Sequence, residues 1–171
     1  MAESRPLSIP VILGTSRKGR MSAHAAQFVW QELRMREGVR TELIDIACLE
    51  HRFDDNGEGT GDPRFAASMA QADAIVIVAP EYNHAMPGLL KHVLDSCLKE
   101  YIHKAAGIVA VSAGPFGGTR VIETSLPVLR ELGWSQSSGM STSAVPPRSS
   151  MRVASCWTTP SCGGPTSSWV S

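Results

Sequence analysis

Four consecutive residues, Glu81-Tyr82-Asn83-His84, place a carboxylate, a phenol, an amide and an imidazole side by side. Glu81, Tyr82 and His84 are all of types that move protons in active sites. The same side chains can instead wall a binding pocket, and that is the stronger reading; no side chain is expected to act as a nucleophile. A second dense stretch is Gly14-Thr15-Ser16-Arg17-Lys18-Gly19-Arg20-Met21-Ser22. Thr15, Ser16 and Ser22 carry hydroxyls, Arg17 offers a two-pronged cation, and the glycines leave backbone amides accessible, so this stretch suits a phosphate. A third, Ser112-Ala113-Gly114-Pro115-Phe116-Gly117-Gly118-Thr119, contains three glycines that let a flat ligand approach the main chain. Each stretch is also what an ordinary connection between a strand and a helix looks like.

The elements around these stretches argue that they converge. Residues 74–79 (Ala-Ile-Val-Ile-Val-Ala) are apolar without alternation, as in a strand buried on both faces of a parallel sheet. They run directly into Pro80 and the Glu81–His84 stretch. An amphipathic helix is expected over residues 89–101, with Leu89, Val93, Cys97 and Tyr101 on one stripe and Pro87 near its first turn. Residues 9–13 and 105–111 read as two further strands, each emptying into one of the other two stretches. Residues 41–46 alternate enough for another strand. A helix capped by Ser22 is expected to end before Gly38, a short one over 63–72, and a third from Thr119 to Leu132 with Pro127 kinking it or delaying its start. Residues 1–8 read as a loose terminus and 51–62 as a surface loop. Strands alternating with helices give an α/β fold with a doubly wound parallel sheet, and all three stretches fall at its carboxyl edge, where such sheets bind ligands.

Other ligand classes fail on spelling. Gly14 and Gly19 have the spacing of a P-loop, but Arg20-Met21 stand where lysine and a hydroxyl residue are required, and no GxGxxG fingerprint is present. His24 and His51 lack a second ligand at metal spacing. Sixteen basic and sixteen acidic side chains cancel, so no field argues for nucleic acid or an anionic membrane. No apolar run approaches a membrane span, and the four cysteines form no CxxC pair. These features lead to the expectation of a cytoplasmic protein with reduced thiols, without nucleic-acid or membrane partners.

Gly14-Thr15-Ser16-Arg17, Pro80-Glu81-Tyr82-Asn83-His84, Pro87-Gly88-Leu89-Leu90-Lys91 with Asp95, and Ser112-Ala113-Gly114-Pro115-Phe116-Gly117-Gly118 together resemble the NADPH-dependent FMN reductase family, of flavodoxin-like three-layer α/β/α fold. The resemblance covers about residues 9–134, with the motifs in order. It implies FMN as cofactor and NADPH or NADH as hydride donor. It implies that Ser16, Arg17 and Ser22 hold the FMN phosphate and that Pro80, Glu81, Tyr82 and Asn83 lie along the isoalloxazine. Ser112, Gly114, Gly117 and Gly118 would then meet its other side or its pyrimidine edge. The implied electron acceptor is a small molecule such as a quinone, azo dye, metal oxyanion or free flavin, and the implied assembly is a homodimer or homotetramer. His92 stands where the family commonly has asparagine and Ser96 where an aromatic is common, which bears on the acceptor. The alternative functions are a flavodoxin-like electron carrier, disfavoured by the neutral charge, and an inactive remnant of the reductase.

After Trp134 the chain changes character. Residues 135–171 contain twelve serines, two arginines and no acid, whereas all sixteen acids precede them. The expected division is therefore a flavodoxin-like FMN-binding domain over 1–134 and a serine-rich tail over 135–171, with the last strand and helix of the fold in doubt. The tail reads either as disordered or as a frameshift. Read from the third base of each codon, Trp157-Thr158 must give Asp and Trp169-Val170 must give Gly, as an acidic loop and helix would need.

Overall fold

The computed structural model describes residues 5–53, 61–136 and 141–144. Its centre is a parallel sheet built from β2 (Val11–Leu13), β4 (Leu43–Asp45), β5 (Ala74–Pro80), β6 (Ala105–Ser112), β7 (Ser135–Gln136) and β8 (Ser141–Ala144). The spatial order is β4-β2-β5-β6-β7, with β8 also on β6. A separate parallel pair joins β1 (Leu7–Ser8) to β3 (Val39–Arg40), so part of the stretch read as a loose terminus is strand. The helices are α1 (Ser22–Arg34), α2 (Pro63–Gln71), α3 (Gly88–Asp95) and α4 (Thr119–Glu131).

The pleat explains how the apolar strands feed two cores. Successive side chains on a strand point to opposite faces. Ile12, Ile75 and Ile77 therefore enter one core with Phe65 and Met69 of α2, Leu90, Val93 and Leu94 of α3, and Val121, Ile122 and Leu129 of α4. Val11, Leu13 and Val78 enter the other, with Ala26, Val29, Trp30 and Leu33 of α1. Register aligns the strand ends: Leu13 pairs with Val78 and with Asp45, and Pro80 pairs with Val111.

Further elements differ from the sequence expectation. The helix expected over 89–101 stops at Asp95, where Ser96 Oγ donates to the Val93 carbonyl at 2.7 Å. Cys97 and Tyr101 stay buried nonetheless, Tyr101 in a short 3-10 turn with its ring edge-on to Trp134. Pro127 lies inside an unbroken α4. In the turn before it, Thr124 Oγ1 and Ser125 Oγ donate to the carbonyls of Arg120 and Val121 at 2.8 and 2.6 Å. Past Trp134, where no strand pattern was visible, β7 and β8 continue along β6.

Of the four cysteines, Cys97 is a buried free thiol, and Cys156 and Cys162 lie outside the described residues. The frameshift reading of the tail concerns residues that, beyond those two strands, lie outside the described ones. Among the described residues no helix is long and apolar enough to cross a membrane.

Candidate functional site

β2, β5 and β6 deliver the three stretches to one edge. The Gly14 amide donates to the Val78 carbonyl at 2.8 Å, and the Glu81 amide to the Val111 carbonyl at 3.0 Å, so each loop leaves the sheet still attached to its neighbour. Gly14 has no room for a side chain there: a Cβ would lie 2.8 Å from Leu90 Cδ2 and 3.0 Å from the Val78 oxygen.

The first loop is held from beneath. Thr15 is buried, and its Oγ1 accepts from the Arg17 amide at 3.3 Å. Arg20 donates to the Thr15 carbonyl at 2.8 Å and pairs with Asp45 at the end of β4. Ser16 and Arg17 are left exposed at the loop surface. Ser22 is not the cap of α1, as expected, but its first residue, with Met21 at the cap position. It is 1% exposed, and its Oγ has no hydrogen-bond partner among the described residues. A hydroxyl at a positive helix end is chemically able to donate to an anion.

The second loop is a tight turn. Tyr82 and Ala85 exchange backbone hydrogen bonds of 2.9 and 3.0 Å around Asn83 and His84, which have φ of 50° and 65°. Two consecutive left-handed residues are the geometry of a two-residue hairpin turn, and asparagine and histidine tolerate it better than most side chains. The turn separates the proton-moving candidates. Tyr82 OH and Thr15 Oγ1 share a 3.0 Å hydrogen bond, and the Arg17 guanidinium lies 5.9 Å from the Tyr82 ring centre. His84 is exposed at the tip with Asn83. The Glu81 side chain is 10% exposed, with Oε1 3.7 Å from Arg120 NH1 and Oε2 without a partner among the described residues. Pro80 is buried at the end of β5.

In the third loop, Ser112 Oγ accepts from the Gly114 amide at 3.1 Å. Gly117 and Gly118 have φ of 59° and 84°, and Gly118 caps α4. A Cβ on Gly118 would lie 2.7 Å from the Ala110 Cβ, so the loop passes directly over β6. Arg20, Asp45 and Arg120, which hold the loops in place, escaped the sequence reading. Arg20 was visible only as a failed P-loop residue, and the other two lie outside the recognisable motifs.

The site is an open cradle of three loops. A cleft of about 170 Å³, lined by Leu43, Asp45, Arg64 and Phe65 among others, runs along the edge strand β4 instead. The residues present fit an FMN group. The orphan Ser22 hydroxyl and exposed Arg17 suit its phosphate, and the glycines of the third loop carry no side chain that would bar a planar ring.

A parallel sheet of this order with a ligand cradle at its carboxyl edge defines a flavodoxin-like protein. The chain matches the NADPH-dependent FMN reductase family over residues 7–144 and belongs to it. It is similar to an NADPH azoreductase of Bacillus sp. (strain OY1-2), 31% identical over 123 residues that make up 69% of this chain and 66% of the relative. It is also similar to a quinone reductase of Escherichia coli (strain K12), 30% identical over 127 residues, 68% of this chain and 66% of the relative. Against an NAD(P)H-dependent FMN reductase of Pseudomonas aeruginosa it is 33% identical, over 48% of this chain and 49% of that one. The chain thus spans between about half and two thirds of these relatives. Among solved structures, the flavoenzyme NAD(P)H:(acceptor) oxidoreductase FerB from Paracoccus denitrificans superposes with a TM-score of 0.65 and 24% identity, over 77% of this chain and 75% of that one. That likeness carries the fold.

Proposed function

We propose that this protein is an NAD(P)H-dependent FMN oxidoreductase that passes electrons from a nicotinamide to a small acceptor such as a quinone, azo compound, metal oxyanion or free flavin. The observation that carries this reading is Ser22, whose buried hydroxyl, unpartnered among the described residues, sits at the start of α1, the helix that follows the exposed Arg17. In this reading Ser16, Arg17 and Ser22 hold the FMN phosphate. Pro80, Glu81, Tyr82 and Asn83 line the ring, and Ser112, Gly114, Gly117 and Gly118 meet its other edge. When bound, FMN supplies a two-electron relay, taking a hydride from the nicotinamide and giving its electrons to the acceptor.

The side chains orient and shield. Arg17 contributes the charge that opposes a phosphate. Tyr82, anchored on Thr15 through its hydroxyl, keeps the second loop against the first. Gly117 and Gly118 let the third loop turn closely over β6. His84, exposed at the turn tip, is placed to meet an acceptor rather than to relay a proton inside the cradle. Reduction by NADPH of FMN held on the purified chain tests this reading.

The same proposal includes a cytoplasmic location and assembly of the chain as a homodimer or homotetramer. It also takes residues 1–134 as the flavin-binding unit and the acid-free composition of 135–171 as the mark of a shifted reading frame. Resequencing the gene around codons 130–140 tests the last point, and an unbroken frame there overturns it.

A further inference from the structure

Phe116, in the third loop, is 61% exposed, and its backbone and its ring each have a partner. Its carbonyl accepts from the Thr119 amide at 3.1 Å and from Thr119 Oγ1 at 2.7 Å. Its ring faces the Arg120 guanidinium, whose carbon lies 4.7 Å from the ring centre. Arg120 in turn faces the nearly buried Glu81 carboxylate across the gap between the second and third loops. Glu81 is itself tied to β6 through its amide.

A lone exposed aromatic needs no explanation, and most surface phenylalanines are simply mobile. An exposed ring overlain by a cation that is itself paired with a carboxylate, on a backbone tied to the first turn of α4, is different. Ordering the ring costs side-chain entropy, and so large an exposed area returns little burial energy. The Arg120 guanidinium lies over the ring, an attractive cation–π contact, and most of the ring surface still faces solvent. A flat apolar molecule would recover the burial that the free protein lacks, whereas a compact, strongly hydrated ion would gain nothing from the same surface.

Resting on the flavin reading above, we propose that Phe116 is the acceptor platform of this protein, selecting planar aromatic acceptors such as naphthoquinones over compact inorganic ones, and that Arg120, balanced by Glu81, is the positioning residue that presents it. The inference concerns acceptor choice and is independent of how the phosphate is held.

The test uses the full chain loaded with FMN, compared with F116A, F116Y and R120Q. Menadione is the planar probe and ferricyanide the compact one. Binding of menadione to the oxidised protein without NADPH, measured calorimetrically, should weaken about three- to tenfold in F116A, stay near wild type in F116Y and fall between the two in R120Q. In F116A and F116Y the KM for menadione should follow the same factors with kcat unchanged, and ferricyanide reduction should not change. Equal losses with both acceptors, or unchanged menadione binding in F116A, would overturn the proposal. Bound-flavin absorbance separates its failure from that of the flavin reading. A wild-type chain that neither retains FMN nor reduces ferricyanide with NADPH overturns both; a flavin-loaded F116A with unaltered selectivity overturns this one alone.

Discussion

Tyr82 OH and Thr15 Oγ1, 67 positions apart in the chain, share a 3.0 Å hydrogen bond that ties the loop after β5 to the loop after β2. Thr15 is 2% exposed, so its hydroxyl gains little from water if the bond is lost. In Y82F the chain should lose about 1 kcal/mol of stability, the usual net worth of such a bond. FMN affinity should fall by roughly fivefold, the equivalent of that energy, as the two loops drift apart. Urea denaturation and a flavin titration measure the two effects separately.

Ser22 gives effects of opposite sign. Its buried hydroxyl has no partner among the described residues, so S22A removes an unsatisfied group and introduces a better helix former. Stability of the unliganded chain should hold or rise by about 1 kcal/mol. FMN affinity should nevertheless drop roughly tenfold or more, because a bond to a charged phosphate is lost. Riboflavin, which has no phosphate, should bind S22A and wild type alike. An equal loss for both flavins would move Ser22 away from the phosphate.

Gly118 carries the close approach of the third loop to the sheet. With φ of +84° and Ala110 Cβ 2.7 Å from where its own Cβ would stand, G118A combines a left-handed L-residue with an overpacked contact. A destabilisation of about 2–4 kcal/mol is expected, read as a lower urea midpoint with an unchanged slope.

Asp62 gives the fold an acid-sensitive joint. Buried at the start of α2, it accepts from the amides of Arg64 and Glu50 at 2.8 and 3.1 Å and pairs with the Arg64 guanidinium. Arg64, first among these, holds its carboxyl well below the ordinary range. A depressed folded-state value stabilises the protein above the unfolded value of about 3.9, and the contribution drains away as pH falls below that point. Stability measured against pH should therefore drop below about pH 4, and D62N, which keeps a capping oxygen but cannot titrate, should flatten that part of the curve.

The fold was legible where burial is two-sided. The run from Ala74 to Ala79 has no polar alternation, and it became the central strand of the sheet. The loop after β2 was legible as a strand-to-helix connection because glycine, hydroxyl and arginine residues cluster between an apolar strand and a helical pattern. The end of α3 was not legible. Cys97 and Tyr101 keep helical spacing because both remain in the core, while a single Ser96 bond back to Val93 ends the helix before them. β8 was hidden because its residues, Ser-Thr-Ser-Ala, join the sheet through the backbone and show no hydrophobic alternation. The clamps at Arg20–Asp45 and Glu81–Arg120 join residues 25 and 39 positions apart, and local spacing carries no trace of such pairs.

The most direct test of the central claim is the visible spectrum of the 171-residue chain mixed with an equal amount of FMN and given NADPH without oxygen. The account predicts that the flavin band bleaches at a rate set by the protein, and that the band returns when menadione is added. A band that persists, with NADPH unconsumed, would contradict it.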